Sequence, residues 1–528
     1  MMNESRSYKS LLNAQIGLIF YLVTLALSFV SRKIFLDNLG VEFIGLTGTL
    51  TNILGFLNLA EFGIGSAISF FLYKPLQIAD RGRISELISI FGYVYRKIGC
   101  MIGAGGIVVS LFFPLIFKQT PMEFGIIYFV FYCYLGSSLI GYFINYRQVL
   151  LTADQKNYIV TAYFQTASII KTLVQILLAW YFKNLFIWIS IEFLFSIISC
   201  LILNWKIDKE YPWLKSNLSD GKRLLEKNPR LFVYTRQIFI HKIKDFLLNR
   251  SDEIMIFAFV SLKMVAYYGN YTLIITKINQ IISTALDNVS AGVGQLIAEG
   301  DQQKIMKVFW ELTAIRYFIA GVVVFGLFHL LPPFITLWLG SKYLLGQSVL
   351  ILLMITVFVM QTRGVVDIFN HAHGLYADVW TAWVEGVVNL AVTITAAYYL
   401  GIAGVLLGKI ASILPIIVFW KPYYLFSTGF KLPVKVYWKQ TIRYYFLFAV
   451  VFFLFTLLSR WVPFKPERNF GNLIGYACLT VLPFTFCYFF LLLFGATGMK
   501  DFLGRFFQLV QLLKINFADN EKSISYHS

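Results

Sequence analysis

The chain has 528 residues, of which 58% are hydrophobic and only 14% charged. Soluble domains carry about 25% charged residues, so a soluble globular protein is excluded. A net charge of +18 would mark a nucleic-acid binder in a soluble chain. Here the basic residues lie between apolar stretches, where they read as positive-inside anchors with no nucleic acid as partner.

About fourteen apolar stretches follow one another, each near or above the roughly 20 residues that cross about 30 Å of hydrocarbon. The first six spans are predicted at about 11–35, 42–73, 86–115, 123–148, 157–181 and 184–204. After a basic stretch from Lys206 to Lys244 come about 232–260, 265–296, 306–337, 346–372, 376–398 and 402–424. A last pair follows at about 440–463 and 469–495. Several exceed the minimum, which implies tilt or helix running beyond the bilayer. The first span is too long for a signal-peptide core and no small-residue cleavage site follows it, so it is expected to stay in the mature protein.

With the N-terminus in the cytoplasm, about 29 of the 45 Lys and Arg fall in inner loops and tails, about 9 at outer ends and about 7 within spans. An even number of spans then places both termini on the cytoplasmic side. The outer loops are a handful of residues each, which leaves no material for an external domain. The five cysteines lie in or beside apolar spans without CxxC spacing, and read as small core residues.

The spans form a weak duplication. At an offset of 224, Phe43-Ile44-Gly45 meets Tyr267-Tyr268-Gly269, and Ser66-Ala67 meets Ser290-Ala291. At an offset of 221, Asp80-Arg81-Gly82-Arg83-Ile84 meets Asp301-Gln302-Gln303-Lys304-Ile305. The expected fold is all-α and integral to the membrane, with two six-helix lobes in parallel repeat and a C-terminal helix pair. The boundaries are an N-terminal lobe at 1–204, a basic cytoplasmic connector at 205–231, a C-terminal lobe at 232–424, and the appended pair with its tail at 425–528. Parallel repeats in transporters place the substrate path between two bundles near the midplane.

A basic side chain at the bilayer centre costs at least about 2.5–3.5 kcal/mol, so embedded bases usually face protein or a wet cavity. Candidates in the first half are Arg32 and Lys33, Arg96 and Lys97, and Lys171. The second half adds Arg250, Lys277, Arg316 and Lys409. In the repeat frame Arg96 falls one position from the equivalent of Arg316. Embedded acids are Glu61, Glu192, Asp252, Glu253, Asp287, Glu311 and Glu385. Each charge also has a local reading. Arg250 with Asp252 and Glu253 would order one helix, Lys307 and Glu311 would pair at i,i+4, and Arg32 and Lys33 would snorkel to the outer headgroups. As a set, bases spread over both halves point to a wet cavity that attracts an anion. Arginine suits phosphate because its planar fork donates two parallel hydrogen bonds. Glu61 and Asp287 lie two residues apart at the offset of 224 and are candidates for ion coupling, or else partners of nearby bases.

Glycines through spans one to three, among them Gly40, Gly45, Gly63 and Gly106, permit close helix approach or soften bending. Of the 18% aromatic residues, most are expected in lipid-facing and interfacial positions, with a minority lining a cavity where they would stack on sugar rings. No G-x-x-x-x-G-K-[ST] loop is present, which excludes nucleotide hydrolysis through a P-loop. His371 and His373, at i,i+2 and without supporting Cys, make a poor metal site. No nucleophile–base constellation and no cofactor motif stands out.

The end of span one and its turn, Ser31-Arg32-Lys33-Ile34-Phe35-Leu36-Asp37-Asn38-Leu39-Gly40-Val41-Glu42-Phe43-Ile44-Gly45-Leu46, together with Leu57-Asn58-Leu59-Ala60-Glu61-Phe62-Gly63-Ile64-Gly65, resemble the first two helices of the Wzx-type polysaccharide flippases of the MATE-like MOP superfamily. Asp252-Glu253-Ile254-Met255-Ile256 and Val265-Ala266-Tyr267-Tyr268-Gly269-Asn270-Tyr271 look like that family's seventh helix and following turn. The resemblance implies two lobes in a V that open alternately to either side. It implies a lipid-linked oligosaccharide substrate on undecaprenyl pyrophosphate, moved outward for O-antigen, capsule or exopolysaccharide assembly, with polysaccharide polymerases as possible partners. It also implies a role for Arg32, since a base near the end of helix one recurs in such flippases. Two other classes stay open: a MATE-type multidrug or cation exporter, whose cavity should be dominated by carboxylates, and a membrane-embedded polymerase or ligase, against which the short outer loops count.

Overall fold

The computed structural model describes residues 6–61, 64–228, 251–286, 289–375, 378 and 380–505. All regular structure among them is helical. Eleven of these helices are long and apolar enough to cross a membrane, and Val41–Leu57 is a shorter apolar one. The chain divides into two compact units, Met1–Gly269 and Asn270–Ser528.

The first unit contains α1 (Arg6–Leu39), α2 (Val41–Leu57), α3 (Ile64–Gln77), α4 (Arg81–Leu111), α5 (Phe124–Phe143), α6 (Gln148–Ala153), α7 (Asn157–Phe182) and α8 (Leu185–Glu210). α1 packs along α7, α7 and α5 along α8, and α3 against α4 and α6. Between α1 and α2, Gly40 takes φ +90°, a left-handed conformation open to glycine at little steric cost. The expected span 42–73 is not one helix. α2 stops at Leu57, a 3₁₀ turn covers Asn58–Glu61, and α3 resumes at Ile64. The break coincides with two polar side chains, Asn58 and Glu61, that are tied to α4 and α5 by hydroxyl groups. Further back on α2, a Cβ at Gly45 would lie 2.0 Å from the Leu262 carbonyl oxygen. Only glycine admits that approach.

The start of the connector is ordered as a strap rather than a loose link. Leu218–Asp220 and α9 (Gly221–Glu226) lie on α4. The Asn217 N–H donates to Ser89 Oγ at 2.9 Å, the Tyr146 hydroxyl meets Ser216 Oγ at 3.0 Å, and Arg83 donates to Asn228 Oδ1 at 2.5 Å. The end of α8 is held in turn by Lys156, which bonds Glu210 at 2.6 Å and Asp154 at 3.2 Å. Burial works to lower the Lys156 pKa, but the hydrogen bond to Glu210 and the Asp154 carboxylate outweigh it, and the net shift is upward. Tyr211 donates to Asp154 at 2.8 Å, and burial, then that carboxylate, raise its pKa.

A helix at 251–259 is followed by α10 (Leu262–Leu286), whose later part opens the second unit. Then come α11 (Val289–Glu299), α12 (Gln302–Trp338), α13 (Gln347–Thr362), α14 (Gly364–Ala372), α15 (Trp380–Leu400), α16 (Ile402–Ile413), α17 (Lys435–Leu458) and α18 (Phe470–Gly495). α16 continues through π-helical turns at Leu414–Trp420 and Leu425–Gly429. Pro415 and Pro422 cannot donate to a helical ladder, and a local π adjustment is one way a membrane helix re-satisfies the backbone groups they free. α15 and α16 pack so closely that a Cβ at Gly404 would lie 2.2 Å from the Ala396 carbonyl oxygen.

α12 is the spine of this unit, against which α13, α17 and α18 pack. The Tyr488 hydroxyl donates to the Tyr317 carbonyl at 3.2 Å, and Phe325 stacks on Phe484 with centroids 3.9 Å apart. His329 meets the Tyr476 hydroxyl at 3.2 Å and Thr456 Oγ1 at 3.1 Å. After α18 the chain returns to the start of α12. The Tyr444 hydroxyl donates to the Thr497 carbonyl, Asp501 pairs with Lys307 at 3.1 Å, and Arg505 pairs with Glu311 at 3.2 Å. Lys307 thus bonds across to the C-terminal segment rather than along its own helix to Glu311.

The caps of the third span repeat between units. Asp80 accepts the Arg83 N–H at 2.9 Å at the start of α4. Asp301 accepts from Gln303 and Lys304 at 3.0 and 3.1 Å at the start of α12. The cysteines are not all core residues as expected. Cys200 is buried and accepts a hydrogen bond from Asn145 at 2.8 Å, whereas Cys100 and Cys478 are exposed.

Candidate functional site

Arg32 sits late in α1, half-buried. Its guanidinium donates to the Ala266 carbonyl at 3.0 Å, so it turns inward to protein rather than outward to headgroups. Gly269, one turn further along α10, makes room for it, since a Cβ there would lie 3.0 Å from Nη2. A cavity of about 260 Å³ opens at this place, lined by Arg32, Thr47, Thr51, Asn52, Tyr134 and Glu253 among others. The Asn52 side-chain amide donates to Glu253 Oε2 at 2.5 Å. The neighbouring Asp252 points the other way, buried, and accepts from the Tyr268 hydroxyl at 2.9 Å. Two adjacent carboxylates therefore serve different ends, one in the core and one in the cavity.

This cavity combines a guanidinium, a carboxylate, an amide and hydroxyls. It falls just below the roughly 300–1,000 Å³ of sites that enclose a drug-sized ligand, which suits a headgroup. A guanidinium fork can grip phosphate or carboxylate through two hydrogen bonds.

The other embedded bases lie elsewhere. Lys171 on α7 bonds Glu192 on α8 at 2.6 Å, and Gln175 donates to the same carboxylate at 3.1 Å, so Lys171 has a local counter-charge. Arg96 on α4 is exposed, and its neighbour Lys97 lies 4.9 Å from the Tyr93 ring centroid. In the second unit Lys277 on α10 is half-buried, and Arg316 on α12 and Lys409 on α16 are buried. Arg316 packs so closely on Gly364 that a Cβ there would come 3.1 Å from its guanidinium carbon. Arg250 and Asp287, like Gly63 and Lys244, fall outside the described residues.

Glu61 is held by two phenols. Tyr95 donates to one carboxylate oxygen, and Tyr142 donates to the other at 2.6 Å. Tyr142 also reaches Asn58 Oδ1 at 3.2 Å, which accepts from Ser138 at 3.0 Å. Among the described residues no Lys, Arg or His pairs with Glu61. Sequence reading flagged the carboxylate but not its tyrosines, which look like any other aromatic residues of an apolar span. Nothing in the sequence singles out Asn52 or Tyr134, whereas Glu253 stands among the embedded acids, with a local ion cluster as its structural reading.

Among the described residues, eleven helices long and apolar enough to cross a membrane define a multi-pass membrane protein. No family model matches the sequence, and no curated protein sequence matches it. Among solved structures the chain is similar to the lipid II flippase MurJ in an inward closed conformation. That match has TM-score 0.63 and 16% identity, and covers 90% of this chain and 100% of that one. It is also similar to an inward-facing MATE family multidrug resistance transporter of the MOP superfamily (TM-score 0.49, 15% identity, 74% of this chain and 91% of that one). A third is a MATE transporter in complex with MaD3S (TM-score 0.42, 15% identity, 76% and 92%). The likeness to MurJ is one of fold.

Proposed function

We propose that the protein is a secondary transporter that flips undecaprenyl-pyrophosphate-linked oligosaccharide from the cytoplasmic to the outer leaflet of a bacterial inner membrane. The product would feed O-antigen, capsule or exopolysaccharide assembly, with polysaccharide polymerases downstream and both termini in the cytoplasm. The observation that carries this reading is Arg32 lining a headgroup-sized cavity within membrane-spanning helices. A pyrophosphate would accept from its guanidinium, while Glu253 serves as counter-charge when the cavity is empty and keeps the cost of a buried cation down. Arg96, Lys277, Arg316, Lys409 and Arg250 would add positive potential along the path, and Lys171 would join only if its pair with Glu192 opens. Glu61 and Asp287 would carry a coupling ion, because protonatable carboxylates within spans are the usual carriers.

Complementation of a flippase-null strain tests the reading. Arg32→Ala should abolish surface polysaccharide at unchanged protein level, and Arg32→Lys should retain part of it, since charge alone supplies some attraction. Full function in the alanine variant would remove Arg32 from the site. In reconstituted vesicles, Glu61→Gln should blunt the response of transport to a pH or Na⁺ gradient more than it weakens substrate binding. The second reading, a cation exporter, draws on Glu253 in the same cavity. It would be favoured if Glu253→Gln abolished transport and Arg32→Ala did not.

A further inference from the structure

The first unit holds a second cavity, of about 280 Å³, among α3, α4, α6 and the turn before α6. Phe91, Tyr95 and Tyr146 contribute rings to it, and Ser69, Gln148 and Thr152 contribute hydroxyls and an amide. Among the described residues no Lys, Arg, His, Asp or Glu lines it. That separates it from the Arg32 cavity, which holds both a positive and a negative group. A cavity without charge gives a phosphate or an ammonium nothing to pair with, yet polar atoms are spread around its walls.

Three features narrow the ligand. The phenolic oxygens of Tyr95 and Tyr146 are already engaged, by Glu61 and by Ser216 of the strap, so the rings are fixed in place and offer the cavity mainly their π surfaces. The Phe91 and Tyr95 rings lie together, with centroids 4.0 Å apart, as a joint aromatic wall. Gln148 Oε1 is buried and has no hydrogen-bond partner among the described residues. Such an orphan acceptor is costly to leave unpaired, and it marks a place where a donor belongs. The matching ligand is uncharged, carries several O–H donors, presents a C–H surface to aromatic rings, and is no larger than about one ring. A sugar ring meets every condition.

We propose that this cavity is a saccharide subsite that takes one neutral sugar ring of the transported oligosaccharide, with Gln148 accepting a sugar hydroxyl and Phe91 and Tyr95 forming the platform. The proposal rests on the flippase reading above and deepens it: anion recognition and sugar recognition are assigned to separate cavities of one unit. The turn before α6 joins the fourth and fifth spans. Positive-inside placement sets that turn on the cytoplasmic side, where the substrate's sugars start.

The test uses purified full-length protein in detergent and saturation-transfer NMR. Glucose, galactose, N-acetylglucosamine and rhamnose serve as separate probes, and inorganic pyrophosphate is titrated in a parallel sample. At least one sugar should show transfer, with an apparent Kd that rises at least about tenfold in Gln148→Leu, as expected for loss of a buried hydrogen bond. Phe91→Leu, which keeps the bulk and removes the ring, should weaken binding in the same direction, and it decides the matter if Gln148→Leu is not monodisperse on size exclusion. The subsite is overturned if none of the four sugars binds, or if the folded variants bind as the parent does. Pyrophosphate binding separates the two claims. Pyrophosphate bound without sugars leaves the flippase reading standing and removes the subsite, whereas sugars bound without pyrophosphate does the reverse.

Discussion

Arg96 on α4 of the first unit and Arg316 on α12 of the second occupy nearly matching places at the sequence offset of 221, yet one is exposed and the other is 8% exposed. They are one residue out of register, and one residue on an α-helix is a rotation of about 100°. That small slip moves the side chain to another face. The caps of the same two helices, Asp80 and Asp301, keep register and do the same work. This one helix start is thus alike in the two units, while what the two helices present along their lengths differs. The first unit leaves two polar cavities and a carboxylate held by phenols. The second fills the ground around α12 with stacked rings.

The largest effects should come from close approaches shared by both units. Gly45→Val and Gly404→Val each drive a side chain into a carbonyl oxygen of a neighbouring helix. Each should cost more than about 3 kcal/mol and leave little monodisperse protein on size exclusion. Survival of either variant would show that tight packing is not common to both units. Smaller and unequal effects should come from the arginines. Arg316→Ala removes a buried charge and its packed stem and should destabilise by about 2 kcal/mol, whereas Arg96→Ala should stay within about 0.5 kcal/mol. Thermal unfolding followed by size exclusion measures both, and equal losses would erase the contrast. The smallest should be the caps. Asp80→Ala and Asp301→Ala should each cost about 1 kcal/mol, and a marked inequality would mean that the shared cap is only nominal.

Much of the fold was legible because it is written locally. Apolar length announces a membrane helix, and Asp80 and Asp301 announce helix starts within three residues of themselves. The break at Asn58–Glu61 was not legible, because Glu61 is accommodated by Tyr95 and Tyr142, which come 34 and 81 residues later in the chain. The Arg32 cavity was half legible. An arginine at the end of an apolar span is visible in sequence, but Asn52 and Glu253 meet across 201 residues, a contact that neither periodicity nor spacing encodes. The strap was hidden for a related reason. Its charges dominate its composition, while a few small contacts, such as Asn217 on Ser89 and Gly221 on Tyr93, hold it to α4.

Tyr317, Phe325 and His329 are spaced by eight and then four residues, so they lie along one face of α12. All three are joined to the C-terminal helices, through Tyr488, Phe484, and Tyr476 with Thr456. Together they fasten about 18 Å of α12 to a splint made of α17 and α18, and over that length the three helices resist shear as one body. Pro332 and Pro333 follow about one turn after His329, each removing a backbone donor, and beyond them the Phe334 ring meets Phe470 of α18 with centroids 6.3 Å apart. Bending of this long helix is therefore opposed between Tyr317 and His329, and α17 and α18 act as a stiffener along that stretch.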